Sequence, residues 1–138
     1  MESRLKELVE KFEITPYYLT VQVVFTTDLQ KTYNKFAKLG HVIEDDDIAD
    51  RPGCVLPIDD DAGTITVLFP VPADIDDYAH EIEHINIDCL QSRGINLTDD
   101  NSTQEAYCYN SGFLHKKINE IINSPKYKKK FNVIKQKS

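Results

Sequence analysis

Two of the chain's four histidines, His80 and His84, stand four residues apart in the stretch HEIEH, with Glu81 directly after the first. On an α-helix that spacing sets two imidazoles about 40° apart on one face, one turn above the other. Two neutral ring nitrogens so placed suit a tetrahedral Zn²⁺, whose bonds to histidine are about 2.0–2.1 Å long. Glu81 points beside such an ion rather than at it, where a carboxylate can take a proton from a water that the ion activates. A solvated polar helix face would show the same five letters, so the context has to decide. Asp74 is a good N-cap, Asp76 and Asp77 suit the positive end of the helix, and Arg93 and Gly94 suit its last turn and its exit. Tyr78, Ile82, Ile85 and Cys89 recur at three- and four-residue steps, the mark of one buried helical face. The context favours a metal site on a packed helix.

A catalytic zinc takes three protein ligands and keeps one position open. The two other histidines, His41 after a helix-ending glycine and His115 deep in the last helix, read as ordinary polar or half-buried residues. Glu105 is the better third ligand, because it opens the helix expected to pack after the HEIEH helix. Ser102 to Glu105 also reads as a capping box, in which Glu105 would bond back to the Ser102 amide. Ligation and capping demand different geometries of the same carboxylate.

The elements that must position these groups follow from periodicity. Residues 2–12 are expected to form an amphipathic helix with Leu5, Leu8, Val9 and Phe12 inward. Thr15-Pro16 breaks it, and the β-branched, aromatic run Tyr17 to Thr26 predicts a buried strand. Asp28 caps a helix to about Leu39, burying Leu29, Tyr33 and Phe36, and Gly40 stops it. An acidic, irregular connection over 41–52 follows; its Asp45, Asp46 and Asp47 lack the ligand alternation and closing glutamate of a calcium loop. Gly53 to Ile58 and Thr64 to Val71 predict two strands of a hairpin-like pair around a turn at 59–63. After Gly94 a loop leads to a long helix from about Thr103 to Asn123, with Ala106, Phe113, Leu114, Ile118 and Ile121 or Ile122 inward, ended by Ser124-Pro125. The basic tail, about 124–138, is either a short further helix or frayed.

The 138 residues fit one domain of α+β class, a small mixed sheet packed against helices. Cys54, Cys89 and Cys108 are odd in number and show no CxxC spacing, which reads as free thiols in a reducing cytoplasm. The N-terminus is charged rather than a secretory leader, and no apolar run is long enough for a membrane span. Charge is unevenly spread: 6 basic and 5 acidic residues over 1–40, 2 and 17 over 41–105, and 8 and 1 over 106–138. The acidic middle, which holds the histidines, favours cations. The basic tail lacks interleaved aromatics and glycines, so nucleic acid is not the expected partner.

HEIEH followed at a distance by QEAYCY resembles the gluzincin pattern of HExxH plus a downstream helical glutamate. More narrowly, the order of elements resembles small zinc metallopeptidase-like proteins encoded by bacteriophages, over about residues 17–122. The resemblance implies a zincin-like fold, zinc ligands His80, His84 and Glu105, and Glu81 as general base. It also implies a peptide or protein substrate, possible action on a host protein, and a place in the host cytoplasm. Cys108 departs from the alanine common in those proteins and shares a helical face with Glu105 and Tyr109, so a thiol near the ion is an open alternative. Tyr109, with Tyr107 behind it, is the expected donor to a tetrahedral oxyanion, unless both simply pack in the core. Asp88, one turn after His84, is placed either to accept a bond from that imidazole or to stand exposed. The competing expectation is a non-catalytic, zinc-stabilised acidic protein that binds a host protein's basic surface.

Overall fold

The computed structural model describes residues 5–14, 17–38, 51–56, 63–71, 75–96 and 101–131. Their order is β1 (Glu7–Ile14), β2 (Leu19–Thr26), α1 (Leu29–Lys38), β3 (Cys54–Val55), β4 (Thr64–Pro70), α2 (Ile75–Ser92), α3 (Asn101–Ile122) and α4 (Pro125–Phe131). The strands form one mixed sheet in the order β1-β2-β4-β3. β2 and β4 run parallel in the centre, and β1 and β3 flank them antiparallel. The chain is therefore α+β, with four helices and a small sheet among the described residues. The expected cap at Asp74, the stretch 41–50, the turn at 59–62, Gly40, His41 and the tail beyond 131 lie outside the described residues.

Alternation along the central strands divides the interior in two. Val21, Val23 and Phe25 of β2 and Ile65, Val67 and Phe69 of β4 meet Tyr78, Ile82, Ile85 and Cys89 of α2 and Leu114 and Ile118 of α3. Val24 and Leu68, pointing the other way, meet Leu29 and Tyr33 of α1 and Leu56. Strands covered on both faces need apolar residues at consecutive positions, which is why LTVQVVFT and TITVLFP read as nearly continuous runs. Asp28 accepts from the Lys31 amide at 3.1 Å and so caps α1 as expected.

The N-terminal expectation fails. The helix expected over 2–12 does not form within the described part of that segment: residues 7–14 form β1, paired with β2 from Glu7 opposite Thr26 to Ile14 opposite Leu19. Leu8 and Phe12 are four residues apart, a spacing that satisfies a period of 3.6 and a period of 2 equally. Ile14 breaks the tie. It is 2% exposed on the same side as Leu8, whereas Val9, assigned inward by the helical reading, is 47% exposed. Pairing along the whole of β2 outweighs the segment's modest helical preference.

α3 runs back along α2. Tyr78 near the start of α2 meets Tyr127 beyond the end of α3, their hydroxyls 3.4 Å apart, while Asn86 accepts from the Asn110 side chain and donates to the Tyr107 carbonyl. Ser124 caps α4 by accepting from the Tyr127 amide, and Pro125 occupies its first turn, where a missing N–H costs nothing. Tyr127, only 4% exposed, fastens this basic helix to the core.

Candidate metal centre

α2 is held at its far end by a left-handed exit. Gly94 has φ +76°, its amide bonds to the Gln91 carbonyl, and the Ile95 amide reaches back to Leu90. That bond pattern is a Schellman motif, and it needs a residue without a Cβ at Gly94. Arg93 lies just past the helix and donates to the Tyr17 carbonyl at 2.7 Å, tying the helix end to the β1–β2 turn. The apolar stripe fixes which way the helix faces: Tyr78, Ile82, Ile85 and Cys89 are all at most 1% exposed against the sheet. His80 and His84 are thereby turned outward, and both are exposed.

The two imidazoles face each other with Nε2 atoms 3.3 Å apart and ring planes at 80°. Two nitrogens bound to one tetrahedral ion at 2.0–2.1 Å would stand about 3.3–3.4 Å apart. The observed separation therefore fits a shared ion, and it is longer than the roughly 2.9–3.0 Å favoured by an N–H hydrogen bond. Glu81 lies with Oε2 3.6 Å from His80 Nε2. His80, Glu81 and His84 are the one group of three or more His, Cys, Asp or Glu side chains gathered within 4.8 Å among the described residues.

Burial separates this arrangement from a solvated helix face. The His80 side chain is 66% exposed, yet Glu81, next in sequence, is 7% exposed and lies against Gly53, just before β3. A carboxylate with no role would gain by turning to water, since burying a charge is costly unless a partner compensates. Asp88, one turn beyond His84, is half-buried; burial raises its carboxyl above the usual range while the His84 charge pulls it down.

The structure does not bring Glu105 or Tyr109 to the pair. The seam between α2 and α3 is built on Glu83, which accepts from Tyr107 Oη at 2.8 Å and from Ser111 Oγ at 2.9 Å, with His115 Nε2 4.0 Å away. At about 100° per residue, Glu105 and Tyr109 stand roughly 160–200° around α3 from Tyr107. Both are exposed, Tyr109 to 78%, and with Asn101, Gln104 and Cys108 they line an open hollow of about 430 Å³. Cys108 thus shares their face, as expected, but that face is not the one turned to α2. Tyr107, placed second behind Tyr109 by the sequence, is the tyrosine that reaches α2.

Two participants escaped the sequence reading. Glu83 looked like a filler within HEIEH, although Tyr107, Ser111 and His115 recur every four residues along α3 and could have marked a polar stripe facing it. Gly53 carried no signal beyond its place before a short strand. Nothing matches this chain in comparisons with protein-family models, curated proteins and solved structures.

Proposed function

We propose that this protein is a metal-dependent hydrolase of peptide bonds, with His80 and His84 supplying two of the ligands of a zinc ion and Glu81 acting as general base. The observation that carries the reading is the pair of outward nitrogens 3.3 Å apart beside a carboxylate kept out of solvent. Bound zinc would supply a Lewis acid for the scissile carbonyl and would make water acidic enough to react near neutral pH. Glu81 takes the proton of the attacking water as its oxygen bonds to the carbonyl carbon, then returns that proton to the departing amine as the C–N bond breaks. The proposal does not draw on Glu105 or Tyr109. Bound zinc would also supply the positive charge that stabilises the oxyanion.

The edge of the sheet supports a peptide as the substrate. The Leu56 amide bonds to the Thr66 carbonyl, and Cys54 and Val55 pair with Leu68 and Val67. Antiparallel alternation then turns the N–H and C=O of Val55 away from β4. Among the described residues no strand pairs with that outer edge. An extended peptide adding there would run beside Gly53 and Glu81. The excess of acid in the sequence over 41–105, 17 acidic against 2 basic residues, favours substrates rich in lysine or arginine.

A non-catalytic, metal-stabilised binding protein is the second reading, and the position of Glu105 outside the group is what favours it. Digestion of a peptide library by zinc-loaded wild type and Glu81→Gln separates the two. Hydrolysis by wild type, with zinc retained but cleavage lost in the variant, is the result expected. Equal cleavage by both removes Glu81 as base, and bound zinc without cleavage in either leaves the binding reading.

A further inference from the structure

We propose that Gly53 is a positioning residue for Glu81, and that its missing side chain is the space through which the general base reaches the histidines. The inference rests on the proposed role of Glu81 and extends it to a residue about 28 positions earlier in the chain. A Cβ built on Gly53 would lie 2.6 Å from Glu81 Cγ, 3.1 Å from the Leu68 carbonyl oxygen and 3.2 Å from Phe69 Cδ1. The shortest of these is far inside van der Waals contact, and the atom met is in the middle of the Glu81 side chain, not at its tip.

Backbone conformation does not explain this glycine. Gly63 and Gly94 have positive φ, of 63° and 76°, and Gly53 is not among the positive-φ residues. An L-residue could therefore adopt its backbone angles, and what excludes one is space. Gly112 is the contrasting case: a Cβ there would meet nothing within 4 Å.

Relief of a clash at Cγ requires rotation about χ1. The staggered wells are about 120° apart, so a change of well swings the carboxylate off His80 altogether. On the other side Leu68 and Phe69 are both 0% exposed, and the Leu68 carbonyl belongs to the strand that β3 pairs with. The Cβ cannot move away from Glu81 without disturbing the sheet. Gly53 and Glu81 thus form one steric unit, in which an edge strand sets the rotamer of a carboxylate on the neighbouring helix.

The test compares Gly53→Ala, Glu81→Gln and the double variant, with Gly112→Ala as control, in zinc affinity and in kcat. We expect Gly53→Ala to bind zinc as wild type does and to lose about 10²–10⁴-fold in kcat, the range for removal of a general base. The double variant should lose no more than Glu81→Gln alone, because residues that act as one unit are not additive. Unchanged kcat in Gly53→Ala, or losses that multiply in the double variant, would overturn the assignment. The carboxyl ¹³C signal of Glu81, identified by its disappearance in Glu81→Gln, gives a readout without turnover. It should shift in Gly53→Ala and stay in place in Gly112→Ala; a Glu81 signal unmoved by Gly53→Ala overturns the inference. If the wild type cleaves nothing, the hydrolase reading falls and this signal alone decides the role of Gly53. If Gly53→Ala does not fold, Gly53→Ala/Glu81→Ala should recover the fold; failure to recover it would place the obstruction at Leu68 and Phe69 instead.

Discussion

The packing of α3 on α2 decides which side chains can approach the histidines, and Tyr107→Phe tests it. The substitution keeps the ring and deletes the hydroxyl that donates to Glu83 Oε2 at 2.8 Å. A hydrogen bond to a charged group contributes about 1.5–3 kcal/mol. Here the Glu83 side chain is 37% exposed and keeps the Ser111 hydroxyl at 2.9 Å, so water and the second donor absorb part of the loss. The expected cost is about 1 kcal/mol, or roughly 3–5 °C in Tm for a chain of this size. Thermal denaturation of the metal-free protein, run as a double-mutant cycle with Glu83→Ala, isolates the pair. The predicted coupling is about 1 kcal/mol, and coupling below about 0.3 kcal/mol would refute the register of the two helices. Glu105 would then be free to face α2, and the reason for leaving it out of the site would be gone.

Other consequences are as direct. Glu105→Ala should leave zinc affinity within about threefold of wild type, whereas removal of a true ligand costs far more than the 10–100-fold typical of supporting groups; calorimetric titration decides between them. Burial pushes the Cys89 thiol up from 9.0 to about 11. The unfolded chain therefore ionises this thiol first, and the native state loses stability as pH rises from about 9 to 11. That part of the alkaline loss should be missing in Cys89→Ala, as urea denaturation at stepped pH would show; an unchanged pH profile would contradict it. At neutral pH a thiol reagent should modify exposed Cys108 quickly and Cys89 only on unfolding.

The sequence made the core of α2 legible because four apolar positions, Tyr78, Ile82, Ile85 and Cys89, could satisfy only one period, and Gly94 marked its end. The central strands were legible because β-branched runs buried on both faces admit few other readings. β1 was not, since Leu8 and Phe12 fit helix and strand alike and only pairing with β2 separates them. Within the site, the local part was readable: His80, Glu81 and His84 are held together by a single helix, so spacing determines their geometry. Glu105 and Tyr109 depended on the rotation of α3 about its own axis. That rotation is set by Glu83, Tyr107, Ser111 and Asn110 across the seam, and within α3 only the four-residue recurrence of Tyr107, Ser111 and His115 hints at it. Gly53 illustrates the same limit, because its importance lies in an atom that is absent.

The proposed centre exists only if the two outward imidazoles hold an ion. Zinc titration into metal-free protein, comparing wild type with His80→Ala and His84→Ala, measures that directly. One zinc per chain is predicted, with release of protons on binding and a loss of at least about 100-fold in affinity for either variant. Undiminished zinc binding by His84→Ala would contradict the proposed centre.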